Sequence, residues 1–229
     1  MFGFSKGEKV EDKLKLALDL LGYFKLGTGQ PSKNALDIIK KAKDKHELLD
    51  KIIDLCKDVN KPIAYLNIAC AYELKGAKFR PQCIEYFNKF LSNPILDKTN
   101  EIHLIQHFYN ITNEKLNLAV IFERLGSAYE GEYDFENALK CYMKSYNINP
   151  YECPIYVRLA GIYSKMNNLD KSIDILKSAK ISPYYKVCEW DLGEGQVYKD
   201  ESFIQVIDNY LNTYEEKKKK GYVYNPRKK

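Results

Sequence analysis

The stretch that decides the fold is Phe122–Pro150, FERLGSAYEGEYDFENALKCYMKSYNINP, which is echoed by Tyr156–Pro183, YVRLAGIYSKMNNLDKSIDILKSAKISP. A shift of 34 residues superimposes similar side chains of the two stretches. The matched pairs are Phe122 with Tyr156, Leu125 with Leu159, Gly126 with Ala160, Tyr129 with Tyr163, Ala138 with Ser172, Tyr142 with Leu176, Ser145 with Ala179 and, one residue out of step, Pro150 with Pro183. A fixed period of this length predicts stacked helical hairpins.

The residue types in the period explain how such hairpins would pack. Small residues such as Gly126 and Ala138 let the two helices of a hairpin approach closely, and the large ones fill the space between hairpins. Asp134 and Asn168 stand at the same offset and are predicted to cap the second helix of each hairpin. Gly131 and Asn167 are expected in the turns, where positive φ is often needed.

The chain on either side of the two clear repeats divides into further segments, and all of them except the tail are predicted to be helical. The N-terminal residues carry helical patterns without the repeat signature, and a weaker copy of the signature begins at Tyr65, Ile68, Ala69 and Tyr72. The predicted organisation is an N-terminal packing unit 1–61, a repeat domain 62–216 and a basic tail 217–229. Within the domain lie a weak repeat 62–95, an inserted helix 96–118, clear repeats 119–152 and 153–186, and a degenerate repeat with a cap at 187–216.

The degenerate copy is expected to keep only its second helix. Trp190 falls where Phe122 falls, but Gly193 and Gly195 weaken the first helix, since each costs about 1 kcal/mol relative to alanine. The second helix carries one apolar stripe through Val206 and Tyr210. A last helix of this kind would cap the stack with its polar face outward.

Charge and cysteine usage indicate a reduced, non-exported protein. The formal net charge is +5, yet the tail alone holds seven basic residues and no acid, which leaves 29 basic and 31 acidic residues elsewhere. No apolar run reaches the length of a membrane span, and the short apolar start does not form an export signal. The six cysteines form no Cys-x-x-Cys pair and are predicted to be reduced, mostly buried thiols. A cytoplasmic location is therefore expected.

The period and its residues resemble the tetratricopeptide repeat over about 62–220, with the closest match in the two clear copies. The resemblance implies an all-α, right-handed solenoid of antiparallel helix hairpins, here with a non-repeat N-terminal helical unit and a C-terminal capping helix. Proteins of this family are typically non-catalytic scaffolds that bind a peptide or a partner helix in a concave groove lined by the first helix of each hairpin. Carried over by position, the groove would present Asn67, Cys70, Glu123, Arg124, Ser127, Glu130, Val157, Arg158 and Gly161.

Arg124 and Arg158 occupy equivalent positions of this groove, where two guanidinium groups would suit carboxylates or backbone carbonyls. Solvation of an exposed helix face explains the same two arginines equally well. One subset of the family grips the carboxylate of chaperone tails with lysines four residues before such positions. This chain has Val120 and Pro154 there, so a chaperone-tail clamp is not predicted.

No constellation predicts catalysis, a metal or a cofactor. His103 and His107 share a helical spacing that metals use, but no third ligand is apparent and the internal glutamate of a zinc protease is absent. Gly27–Lys33 lacks the spacing of a phosphate-binding loop and follows a helix instead of a strand. The prediction is therefore a protein that performs no chemistry and holds a protein or peptide partner, with its oligomeric state left open.

The tail offers an alternative function. Lysines and arginines interleaved with Tyr222 and Tyr224 would suit nucleic acid or an anionic membrane surface. A solvated, disordered end that aids solubility fits the same composition. Both interpretations stand beside the scaffold interpretation.

Overall fold

A computed structural model describes residues 9–25, 31–93, 114–150, 153–181, 189–191, 197–199 and 201–226. The helices of this part are α1 Val10–Lys25, α2 Lys33–Lys41, α3 Lys45–Cys56, α4 Pro62–Lys75, α5 Arg80–Leu91, α6 Glu114–Gly131, α7 Phe135–Ile148, α8 Cys153–Lys165, α9 Leu169–Ile181 and α10 Glu201–Lys219. A 3-10 turn at Ala77–Phe79 precedes α5, and strands β1 Glu189–Asp191 and β2 Val197–Lys199 precede α10. The chain separates into two compact units, 1–117 and 118–229.

Helix α4 is the centre of the first unit. It packs against α1, α3 and α5, and its apolar side chains surround the helix instead of forming one stripe, as in a buried helix. The ion pairs Lys61–Glu11 and Lys75–Asp50 join its two ends to α1 and α3. Helix α4 thus buries its surface against the N-terminal helices as well as against α5.

The second unit contains the two clear repeats as consecutive helical hairpins. In the first hairpin, Gly126 of α6 lies directly against the ring of Tyr142 of α7. In the second hairpin, the Ser172 hydroxyl of α9 donates a 2.8 Å hydrogen bond to the Ala160 carbonyl of α8. Such close contacts need a small residue on one side, which is the role that the repeat gives to these positions. The predicted all-α repeat fold is confirmed.

Capping side chains begin the helices at the predicted residues. Asp134 Oδ1 accepts a 3.1 Å hydrogen bond from the Asn137 amide, and Asn168 Oδ1 accepts one of 3.1 Å from the Lys171 amide. Each bond satisfies a backbone donor that has no partner within the first turn. The helix starts were therefore readable from the sequence.

The turn residues were predicted correctly in one repeat and wrongly in the other. Asn167 has the expected positive φ of 59°, but in the first repeat the positive φ of 62° belongs to Tyr133. Gly131 is instead the last residue of α6. Tyr133 and Asn167 are 34 residues apart, so the period, and not the position of a glycine, sets the turn.

Replacing Tyr133 with asparagine should stabilise the protein by about 0.5–1 kcal/mol. A bulky side chain at positive φ is strained, whereas asparagine tolerates this conformation, as Asn167 does in the second repeat. Urea denaturation of the two proteins measures the difference. The same exchange at Tyr146, which lies within α7, serves as a control that should not stabilise. A lower free energy of unfolding for Tyr133→Asn would contradict the strain argument.

The degenerate copy departs from helical structure in its first half. Strands β1 and β2 pair antiparallel there, with Trp190 opposite Tyr198. These strands lie where the first helix of a repeat would stand, in line with the expectation that this copy keeps only its second helix, since glycine favours turns and costs helix stability. The second half forms α10, which packs against α9 and α8 through Ile207, Leu211 and Tyr214. Helix α10 therefore covers the end of the second repeat, as expected of a cap.

Three other expectations concern the cysteines, the inserted helix and membrane spans. Cys56, Cys70, Cys83 and Cys141 are buried and form no disulfide bonds, as predicted of reduced thiols. The inserted helix predicted at about 100–110, with His103 and His107, lies outside the described residues. Among the helices that are described, none combines the length and the apolar composition of a membrane span.

Candidate functional site

Two ion pairs connect the first helices of the two repeats. Arg158 Nε donates to Glu123 Oε1 at 3.3 Å, and Lys165 Nζ donates to Glu130 Oε1 at 2.5 Å. Both acids belong to α6 and both bases to α8. We call these two pairs the ion-pair ladder, and the surface of α6 and α8 that carries it the inner face.

The geometry of the ladder follows from the sequence spacing. Glu123 and Glu130 are seven residues apart, as are Arg158 and Lys165, and seven residues make nearly two helical turns. The two acids therefore project from one side of α6, and the two bases from one side of α8. Along each helix axis, the two residues are about 10 Å apart. Each acid is 35 residues from its base, one more than the repeat period, so neighbouring hairpins place them side by side.

Exposure differs between the two members of each pair. The side chains of Arg158 and Lys165 are 47% and 35% exposed, whereas those of Glu123 and Glu130 are 19% and 18% exposed. The carboxylates therefore lie deeper, and the cations form the outer layer. An approaching molecule meets positive charge first, although the ladder is neutral as a whole.

Glu130 is fixed by a second hydrogen bond from the core of the repeat. The buried Tyr142 hydroxyl donates to Glu130 Oε2 at 2.5 Å, so both carboxylate oxygens have partners. Burial and this carboxylate raise the pKa of Tyr142 well above its ordinary value, and the phenol stays a donor at physiological pH. Burial likewise raises the pKa of Tyr214 of α10 to about 12, with Tyr210 and Glu130 contributing. The Glu130 carboxylate on the inner face is therefore held in place by the buried Tyr142.

The remaining predicted residues of the second unit lie along the same helices. Arg124 and Val157 are half-buried, and Ser127, one turn from Glu123 on α6, is exposed. Gly161 lies below the C-terminal helix, because a Cβ atom placed there would meet the Tyr214 hydroxyl at 3.8 Å. Helix α10 thus partly covers the surface of α8 around Gly161. The sequence predicted a capping helix but did not indicate that it would cover a predicted groove residue.

Two of the predicted groove residues belong to the core instead. Asn67 is 1% exposed and Cys70 is fully buried, both within α4 of the first unit. The Asn67 amide donates to Cys56 Sγ at 3.8 Å, and burial raises the pKa of that thiol to about 12. Their assignment to a binding surface was wrong, because both side chains are buried where α4 packs against its neighbouring helices.

Sequence reasoning also missed two members of the site. Lys165 completes the ladder, and Tyr142 was assigned only to packing. The signal for Lys165 was present in the sequence, because a base follows Glu123 and Glu130 after 35 residues in both cases, and a search for recurring charge at the period plus one would detect it. Among the described residues there is no group of histidine, cysteine and carboxylate side chains able to hold a metal ion.

Comparison with known proteins identifies the family of the two hairpins. The family model described as "Tetratricopeptide repeat" matches residues 119–152 and 154–180, so these two segments are tetratricopeptide repeats, which supports a general role in protein–protein interaction. No curated protein matches the chain in sequence. Solved structures that are similar to the chain include two of MamA. A crystal structure of MamA has 18% identity, a TM-score of 0.46 and coverage of 84% of this chain and 98% of that one. A second MamA structure has 17% identity, a TM-score of 0.47 and coverage of 94% and 98%.

Proposed function

The chain carries tetratricopeptide repeats at 119–152 and 154–180, and from that premise we propose a non-catalytic scaffold that binds a peptide or helical segment of a partner on the inner face. The proposed binding residues are Glu123, Arg124, Ser127, Glu130, Val157 and Arg158, to which the structure adds Lys165. The observation that carries the proposal is the ion-pair ladder, whose cations lie outward and whose acids lie inward.

The ladder favours a partner segment that carries carboxylates. Arg158 uses Nε to bind Glu123, and a guanidinium group presents further N–H donors that suit a second carboxylate. Because Glu123 stays in place, the arginine is held in position before the partner arrives. A prepositioned side chain loses less conformational entropy on binding. Lys165, about 10 Å further along α8, would receive a second acidic group.

The test is site-specific photo-crosslinking at Ser127, the exposed residue of this face. Adducts formed in source cells identify the partner, and its binding segment is then synthesised and titrated against purified protein. Arg158→Ala should weaken the affinity by about ten- to a hundredfold, because a hydrogen bond between charged groups is lost. Arg124→Ala tests the second arginine in the same assay.

Lys177→Ala provides the matched control. Lys177 pairs with Glu215 at 3.6 Å and is 55% exposed, so this variant also removes one surface cation and one ion pair of the same unit. It should bind the segment like the wild-type protein. Equal weakening by Lys177→Ala and Arg158→Ala, or none by Arg158→Ala, would show that the partner does not bind at the ladder.

A further inference from the structure

The C-terminal segment turns back onto the repeats after α10. Gly221, with a φ of 62°, ends the helix, and the Gly221 and Tyr222 amides donate to the Lys218 and Lys217 carbonyls at 3.1 and 2.9 Å. This double hydrogen bond is the usual end of a helix at a left-handed glycine. It reverses the chain, so that the residues after Gly221 do not continue away from the unit.

Two contacts of Tyr224 hold the reversed segment against the turn of the second repeat and the start of α7. The Tyr224 amide donates to Asn167 Oδ1 at 2.6 Å, and the Tyr224 ring meets Phe135 edge-on at 5.9 Å between centroids. Phe135 in turn contacts Tyr133 at 6.1 Å. An ion pair of Lys218 with Asp170 joins the end of α10 to the start of α9. The segment therefore belongs to the folded unit, although composition alone suggested a disordered tail.

Exposed apolar side chains from three parts of the chain take part in these contacts or adjoin them in sequence. Val223 is 68% exposed, Tyr133 46%, Tyr222 43% and Met166 38%. We call these four residues the apolar tip. Tyr133 and Met166 come from the two repeat turns, and Tyr222 and Val223 from the segment that crosses them. Apolar side chains grouped on a surface in this way mark an interaction site more often than single exposed ones do.

Four consecutive lysines, 217–220, precede the part of the apolar tip that the C-terminal segment supplies. Lys217 lies over the rings of Tyr214 and Tyr222, at 5.2 and 4.9 Å from their centroids. The Lys218 and Lys220 side chains are 57% and 75% exposed and pair with acids that are exposed as well. Such surface pairs are weak and are screened by salt, so these cations remain available to an anionic partner. Lys219 is exposed beside them.

We propose that the apolar tip and the lysines 217–220 bind an anionic lipid surface. Tyrosines favour the boundary between water and lipid, and aliphatic side chains such as Val223 and Met166 insert into the acyl region. Lysines close to an anionic leaflet each add attraction. Nucleic acid explains the lysines and the tyrosines but gives no role to the exposed valine and methionine. This inference is independent of the ladder, which lies on the inner face of the same unit.

Co-sedimentation of the full chain with vesicles tests the proposal. Vesicles of phosphatidylcholine mixed with phosphatidylserine should bind the protein, and vesicles of phosphatidylcholine alone should bind it far more weakly. Replacing Lys219 and Lys220 with glutamine should weaken binding by about fivefold for each lysine. Replacing Tyr222 and Val223 with serine should weaken it by at least tenfold, because apolar contact with the lipid is lost.

Two controls separate this surface from the rest of the protein. Lys177→Gln combined with Ile181→Ser removes an exposed lysine and an exposed isoleucine from the opposite half of α9, and it should leave vesicle binding unchanged. Arg158→Ala, the inner-face variant, should also leave vesicle binding unchanged. The lipid proposal and the proposed function can therefore fail independently, one in the vesicle assay and the other in the partner-binding assay. Thermal unfolding confirms that each variant is folded.

Three outcomes would overturn the proposal. The first is no binding of the wild-type protein to vesicles that contain phosphatidylserine. The second is equal loss in the Lys177 and Ile181 control. The third is binding that single-stranded RNA abolishes and that serine at Tyr222 and Val223 leaves unchanged, which would assign the lysines to nucleic acid instead of lipid.

Discussion

Tyr142→Ala should lower the free energy of unfolding by about 3–5 kcal/mol, the usual cost of truncating a buried aromatic residue. The ring is fully buried between the two repeats, in a core that includes Ala138, Leu159 and Tyr156. Truncation leaves a cavity that is lined by side chains of both repeats. It also removes the hydroxyl that donates a hydrogen bond to Glu130. Urea denaturation of both proteins measures the loss.

Tyr142→Phe separates the two contributions. The ring is kept and only the donor to Glu130 disappears, so we expect a loss of about 1–2 kcal/mol. Glu130 retains its ion pair with Lys165. A Phe variant as unstable as the Ala variant would mean that the hydroxyl, and not the ring, supports the repeat contact. Hydrogen exchange of the amides in α7 and α8 would show whether the loss is confined to these helices.

Gly126→Ala is expected to destabilise the protein by about 1–3 kcal/mol, the cost of overpacking a core. A Cβ atom at this position would lie 2.7 Å from Cδ1 and Cε1 of Tyr142 and 3.2 Å from Cζ. The ring is fully buried and cannot move aside without displacing its neighbours. This strain should exceed the gain of about 1 kcal/mol that alanine brings to a helix interior.

Gly161→Ala is the matched control for this prediction. Gly161 lies within α8 as Gly126 lies within α6, but its added Cβ atom would meet only the Tyr214 hydroxyl, at an ordinary 3.8 Å. The helix should therefore gain stability, by up to about 1 kcal/mol. Urea denaturation of both variants should give changes of opposite sign. Stabilisation by Gly126→Ala would contradict the close approach of α6 and α7.

The prediction of the repeats succeeded because their information is local. Helix starts depend on a capping side chain that accepts a hydrogen bond from the backbone amide three residues later, as Asp134 and Asn168 show. Core positions depend on a period that any stacked hairpin must keep. The same period located the turns, although only one of the two residues expected there has positive φ.

The prediction of the site was less successful because exposure is not a local property. Asn67 and Cys70 have the same repeat offset as surface residues elsewhere, and only the packing of α4 among three helices buries them. Arg158 was predicted as a cation available to a ligand, and it already holds Glu123 of the neighbouring helix. The position of a residue in the repeat predicts the direction in which its side chain projects from the helix. It does not predict which other helices or side chains pack against that side chain.

The sequence by itself determined the helical hairpins, their caps and the residues that separate them, since a 34-residue period and side-chain size act within or between adjacent helices. The packing of the helices is what joins acids and bases 35 residues apart into a ladder and brings Tyr224 of the last segment against Asn167. These features depend on distances between side chains that are remote in sequence. Such distances are fixed only when the helices have packed.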